Sequence, residues 1–201
     1  MSIFSRTTKP ATLDHSFDAP TSAVEDITGD YTLDTTHTRL GFSARHAMVT
    51  TVRGSFKEFE GTAHVDTANP SASTIALTIK TASIDTGVAD RDGHLRTGDF
   101  FDAETYPEIT FASTKVARED DSWLVTGDLT IKGVTKPVTI EFESTGSARD
   151  PFGNLRIGFE GATSINRKDW GLTYNAALET GGVLISDKIR LEFDVSAIQT
   201  A

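Results

Sequence analysis

The sequence predicts an all-β protein: an antiparallel up-and-down β-barrel of about eight strands, with one or two short helices. Three observations point there. From Tyr31 onward, apolar residues recur at every second position, the spacing that puts alternate side chains on one face of a strand. Each such run is apolar on one side only, which suits antiparallel sheets and not parallel sheets buried on both faces. The runs are joined mostly by hairpin-length connections, with a single segment between them that could form a helix.

The elements follow in order. Residues 1–28 are rich in Thr, Ser, Ala, Asp and Pro, with apolar residues scattered singly. They read as a mobile tail, with a tail docked over one end of the fold as the alternative. The barrel domain then takes residues 29–201. Leu40, Phe42 and Ala44 share one parity, and His46 continues the row. Val52, Gly54 and Phe56 keep that parity, whereas Phe59, Gly61, Ala63 and Val65 switch to the other, so a bulge or bend belongs at Lys57-Glu58. Ile75, Leu77 and Ile79 form the next strand, then Ile109 and Phe111. Trp123, Val125, Gly127, Leu129 and Ile131 follow, and a turn at Lys132-Gly133 leads into Val138, Ile140 and Phe142. Leu155, Ile157, Phe159 and Gly161 make a further strand. Ile189, Leu191, Phe193 and Val195 make the last, with Arg190, Glu192 and Asp194 facing water between them. The helical segment runs from Asp90 to about Asp102, where His94-Leu95 and Phe100-Phe101 would pack on a barrel mouth. Closure of eight such strands gives an interior that holds one small ligand, and the bend at Lys57 favours it over a two-sheet sandwich.

Composition removes several classes of function. The 201 residues fit one domain. Nineteen Lys and Arg against 29 Asp and Glu leave a net charge of −10, a surface that repels phosphate backbones and argues against nucleic acid. Cysteine is absent, which removes disulfides, thiolate catalysis, Cys-ligated zinc and iron–sulfur clusters. No stretch approaches the roughly 18 apolar residues that span a bilayer, so stable membrane insertion is not expected. The first ten residues lack the apolar core of a secretory signal, which makes the cytoplasm the expected location.

Catalytic and metal templates are not met. Gly41-Phe42-Ser43-Ala44-Arg45 begins like a nucleophile elbow but lacks its second glycine, and there is no H-E-x-x-H, Walker loop or G-x-G-x-x-G. Asp90-Arg91-Asp92-Gly93 resembles part of a calcium loop, yet the first ligand position falls on Val88 and the twelfth on Asp99, where a bidentate Glu is required. None of His15, His37, His46, His64 and His94 lies within five residues of another, so no metal and no cofactor are expected. Arg91, Asp92, His94 and Asp99 crowd one segment, with Asp85 just upstream. They form either a helix cap with surface ion pairs or a set that fixes the helix across the barrel opening. Acid–base work by His94 with Asp92 has no nucleophile or oxyanion hole beside it, so an enzyme is not expected. Residues 166–171, Asn-Arg-Lys-Asp-Trp-Gly, read either as a turn with a local ion pair or as a pocket rim, with Trp170 shielding it and Arg167 offering charge.

Five spaced blocks resemble the YceI-like polyisoprenoid-binding family. They are Tyr31-Thr32-Leu33-Asp34-Thr35-Thr36-His37 with Phe42 and His46; residues 54–61, Gly-Ser-Phe-Lys-Glu-Phe-Glu-Gly; and Ser83-Ile84-Asp85-Thr86 with residues 91–95, 99–102 and Tyr106-Pro107. Residues 127–138 and 165–171 complete the series, so the likeness runs along nearly all of 30–197. The resemblance implies a lipocalin-like, elongated barrel whose apolar lumen takes a long isoprenoid chain, such as a quinone tail or polyprenyl lipid, for binding or carriage without chemistry. Many family members carry a secretory signal and act in the periplasm, and this chain shows none.

The expected function is therefore a soluble carrier for an isoprenoid or quinone-like lipid. Its inward residues would be Phe42, Ala44, Phe56, Phe59, Ile75, Leu77, Phe111, Leu129, Phe142, Phe159 and Phe193, with His46, Arg91, His94 and Trp170 near the entrance. The alternatives are a filled barrel serving as a stress-related or partner-binding module, as a homodimer, and a hydrolase or isomerase using His94 and Asp92. The 12 Phe against 3 Tyr and 2 Trp fit a face that offers no hydrogen-bond partner.

Overall fold

The computed structural model describes residues 26–177 and 182–200. Of the tail expected over 1–28, residues 1–25 lie outside them; Ile27 packs against the core. Eleven strand segments and one α-helix are found among the described residues. They are β1 (Gly29–Leu33), β2 (Arg39–His46), β3 (Thr50–Phe56), β4 (Phe59–Val65), β5 (Thr74–Lys80), β6 (Ile84–Asp85), α1 (Ala89–Arg96), β7 (Glu108–Glu119), β8 (Ser122–Ile131), β9 (Val134–Arg149), β10 (Leu155–Asn166) and β11 (Ile185–Gln199).

Three pairs of segments are halves of one long strand: β1 with β2, β3 with β4, and β5 with β6. Residues 34–38 interrupt the first, Lys57-Glu58 the second, as the parity switch predicts, and the 3₁₀ turn Thr81–Ser83 the third. Counted this way, eight antiparallel strands close into a barrel, each paired with its neighbour in sequence and β11 returning to both halves of the first. The break at Lys57-Glu58 lets Phe56 pair with Leu40 above it and Phe59 with Ile79 below it while both halves stay in the sheet. Lys132 and Gly133 have φ of 50° and 74°, the conformation of a two-residue type I′ hairpin turn.

The meander gives the barrel two unlike ends. At one end lie the β4–β5, β7–β8 and β9–β10 connections. At the other lie the β2–β3 and β8–β9 turns, α1 with the segment that follows it, and residues 167–177 and 182–184. Tyr31, Val65, Val116, Trp123, Ile157 and Ala197 are buried toward the first end. That end is also clamped by charge from outside. Arg156 bridges Asp34, in the break of the first strand, and Asp150, 3.0 Å away in the β9–β10 turn. Asp34 further accepts from Thr36 Oγ1 (2.6 Å) and Thr36 N (3.0 Å) and lies 2.7 Å from His37 Nδ1. The Thr36 hydroxyl, ahead of Arg156 and His37, holds the Asp34 carboxyl well below the usual carboxylate range against the opposing effect of burial.

The helix is shorter than its predicted span to Asp102. It ends at Arg96, where Thr97 caps it and donates its hydroxyl to His94 O (2.7 Å), and Gly98 follows. Two tight turns then fold back, Phe100 N bonding to Thr97 O and Phe101 N to Leu95 O, so both rings reach the barrel without helical backbone.

Candidate functional site

The inward side chains do not meet at the barrel axis. They enclose an elongated cavity of about 640 Å³ with an almost wholly apolar wall. Wall residues on β11 run from Ile185 to Ala197. Those twelve steps, at about 3.3 Å each and tilted about 40°, make a lumen roughly 30 Å long. Spread over that length, the space open to the centre of a water molecule averages about 5 Å across, so the lumen is about 8 Å wide from wall to wall. A barrel packed solid with side chains, left open by parity alone, is not what forms.

Glycines create the space. Phe42 faces Gly54 across the β2–β3 pair, Phe142 faces Gly161 across β9–β10, and Phe111 lies diagonally beside Gly127. A Cβ on any of these three glycines would stand 2.4 Å from a ring atom of its phenylalanine. The rings therefore lie over bare backbone, flat to the wall, instead of projecting across the lumen.

Of the residues predicted to line the site, Phe42, Ala44, His46, Phe56, Ile75, Leu77, Arg91, His94, Phe111, Leu129, Phe142, Phe159, Trp170 and Phe193 are on the cavity wall. Phe59 is not. As the first residue after the strand break it pairs with Ile79 and is half-buried against the core without reaching the cavity. Trp170 is not the rim shield that its position in the sequence suggests. Asn166 accepts from Lys168 N, the 3₁₀ turn Arg167–Trp170 follows, and Gly171 ends it at φ 75°. This swings the indole inward to 3% exposure, with Nε1 donating to Leu129 O at 3.0 Å.

Apart from Thr62 and Ala76 on the β4–β5 pair, the exposed residues of the wall gather at one end, where Arg45, His46, Asp90, His94 and Tyr174 stand. The cavity opens there, beneath α1. A knot of hydrogen bonds sets the helix across this mouth. Asp92, buried, accepts from Thr86 N (2.9 Å) and Thr86 Oγ1 (2.5 Å). Arg91 donates through Nε to Thr86 Oγ1 (2.7 Å) and through Nη2 to Thr86 O (2.9 Å). Asp85 accepts from Gly87 N and pairs with Lys57, and the first of these contacts does most to lower its pKa. The charged segment thus fixes the helix over the opening.

The same bonds correct the acid–base pairing of His94 with Asp92. Asp92 is spent on Thr86, and His94 turns instead to Asp99, with Nε2 to Oδ2 at 2.8 Å. The His94 ring packs edge-on against Phe100 and Tyr174, with centroids 5.1 and 5.0 Å away. This cluster joins the helix segment to the β10–β11 connection across the mouth.

Arg167 offers its charge to its own loop. It is 4% exposed and donates to Leu172 O (2.5 Å), Tyr174 O (2.8 Å) and Ser186 O (3.1 Å), with Asp187 at 3.5 Å. Burial lowers its pKa from the ordinary value, and Asp187 opposes that shift. Leu172, Tyr174 and Leu184 of this connection also line the cavity and were not predicted, although the alternation Leu172-Thr173-Tyr174 after Gly171 is the signal for them.

Comparison with known proteins adds the following. The family described as YceI-like domain matches residues 31–197. Protein YceI of Escherichia coli O17:K52:H18 is 42% identical over 153 residues, covering 75% of this chain and 80% of that protein. Among solved structures, Burkholderia cenocepacia BcnA superposes with a TM-score of 0.72 at 25% identity, covering 82% of this chain and 98% of its own. A polyisoprenoid binding domain from Saccharophagus degradans, implicated in plant cell wall breakdown, superposes with a TM-score of 0.65 at 22% identity, covering 85% and 98%. At that identity it speaks to the fold alone.

Proposed function

We propose, from the premise that this chain belongs to the YceI-like domain family, that it binds and carries one long isoprenoid-type lipid, chain in the lumen and polar end at the α1 mouth. The cavity carries the reading: it is narrow, apolar and about four times longer than wide, the shape of one extended chain. Burying such a chain gains about 25 cal/mol per Å² of apolar area, ample after ordering costs. A branched hydrocarbon offers no hydrogen bonds, so selectivity falls to lumen length and to the polar groups at the mouth, Arg91, His46 and Asp90. The neighbour from Saccharophagus degradans, described as polyisoprenoid binding, shares this barrel and makes a prenyl chain the first ligand to test. We read the role as binding without chemistry, because His94 and Asp92 serve to place the helix.

The test is direct. Purified protein is extracted with organic solvent and the extract analysed by mass spectrometry, and delipidated protein is titrated with a prenyl quinone while tryptophan emission is followed. A prenyl lipid in the extract and saturable quenching of Trp170 are expected. An extract free of lipid together with unquenched emission would overturn the reading.

A further inference from the structure

The largest apolar side chains left in water are not scattered over the barrel. Met48 (67% exposed) and Val49 (75%) form the tip of the β2–β3 turn, Val88 opens α1, and Tyr174 and Val183 belong to the β10–β11 connection. All five stand at the end where the cavity opens. Only Phe152, in the β9–β10 turn, represents the opposite end among the described residues.

The tip of the β2–β3 turn is also built against local preference. Ala47 and Met48 have φ of 49° and 64°, left-handed values that side chains disfavour and that this turn type ordinarily gives to Asn-Gly. The turn is held in that shape from several sides. Val49 N donates to His46 O (3.1 Å), Arg45 Nη2 to Met48 O and Val49 O (3.2 Å each), and Ala47 N to Leu184 O (2.7 Å). A firmly braced turn therefore presents methionine and valine to solvent, which does nothing for the stability of the isolated chain.

Charge is distributed to match. Asp26, Asp30, Asp66, Glu119, Asp120 and Asp121 gather at the closed end. At the mouth, Arg45, Arg91, Arg96, Lys132, Lys168 and Lys188 stand against Asp85, Asp90, Asp99, Asp102, Glu104, Asp169 and Asp187, close to balance, and the tip itself carries only Arg45 and His46 beside its apolar residues. The acidic excess that a bilayer surface would repel points away from the opening.

We infer that this rim docks on a lipid bilayer, with Met48 and Val49 entering the headgroup region so that the lumen opens directly onto the membrane. The inference rests on the reading of the lumen as a lipid site. A chain as apolar as the one proposed is stored in bilayers, and the rim is continuous with the wall that would receive it.

The experiment uses the full chain and separates docking from binding. Flotation with phosphatidylcholine vesicles reads docking. Quenching of tryptophan by a prenyl quinone, delivered either from vesicles or from ethanol, reads transfer and binding respectively. Met48→Glu/Val49→Glu is expected to weaken flotation by about tenfold or more and to slow transfer from vesicles similarly, with uptake from ethanol unchanged. Phe152→Glu, at the closed end, is expected to change nothing. Should the double variant fail to fold, Val183→Glu and Val88→Glu put the same question. Wild-type flotation or transfer by the folded variants overturns the inference, as does loss of flotation in Phe152→Glu. A wild-type dimer that the double variant splits, without vesicle binding, assigns the rim to a second copy and also overturns it. If ethanol-delivered quinone fails to bind wild-type protein, the reading of the lumen fails instead, while flotation still decides whether the rim docks.

Discussion

Replacing Gly54 by alanine perturbs the lumen at one ring. The new Cβ would stand 2.4 Å from Phe42 Cζ and 2.8 Å from Cε1, with Thr86 Cγ2 at 2.9 Å. Carbon atoms settle at about 3.5 Å or more, so the Phe42 ring must retreat by about 1 Å. The strand holds its outer side, and the free direction is inward. The overpacking costs about 1–3 kcal/mol, and the reduced backbone entropy of the unfolded chain returns about 0.4–1 kcal/mol. The net loss is about 1–2 kcal/mol, read as a lower urea midpoint. In a lumen about 8 Å wide, 1 Å is about an eighth of the bore. Excluding two methylene-sized groups there, at about 0.8 kcal/mol each, weakens prenyl quinone binding by roughly tenfold. Phe42→Leu in the same chain shortens the displaced side chain and is expected to restore much of the affinity, which makes the pair a double-mutant cycle. Wild-type affinity in Gly54→Ala, or a double variant that binds no better than the single one, would refute the account of flat rings over glycine.

Three further predictions concern the ends of the barrel. The folded pKa of Asp34 lies below its unfolded value of about 3.9, so the stability it confers is complete above that pH and drains as pH falls through the folded value. Urea titrations should show Asp34→Asn less stable than wild type at pH 7, with the gap closing below pH 4. Arg167→Met leaves the carbonyls of Leu172, Tyr174 and Ser186 without their donor, at about 1–3 kcal/mol for each that stays dry, and limited proteolysis should then cut the β10–β11 connection faster. His94→Ala removes one ring of the cluster over the mouth, so stopped-flow quenching should show faster ligand exchange, with global stability changed by less than about 1 kcal/mol.

Much of the barrel was legible because each strand has one dry and one wet face, and parity records which is which. It marked the break after Phe56 and the turn at Lys132-Gly133 without any knowledge of the partners. The outer half of β9 was not legible. Ser144, Thr145 and Ser147 alternate nothing, since this part of the ribbon pairs with β10 through a bulge and is exposed. Parity also placed the strand residues of the wall from Phe42 to Phe193 and failed at Phe59, where the strand break alters the side chain's aim. The roles of the mouth residues were beyond it. Which acceptor Arg167 takes, or whether His94 turns to Asp92 or Asp99, depends on how two connections cross over an opening, and spacing along the chain does not encode that.

A tube entered from one end loads like a syringe. Its far end is lined by buried side chains and held from outside by Arg156 between Asp34 and Asp150. On the proposed reading, a chain entering beneath α1 acts as a piston on the water ahead of it. Each added unit then lengthens both the path in and the path out. Longer chains load more slowly and leave more slowly still, and whatever enters tail first must leave head first.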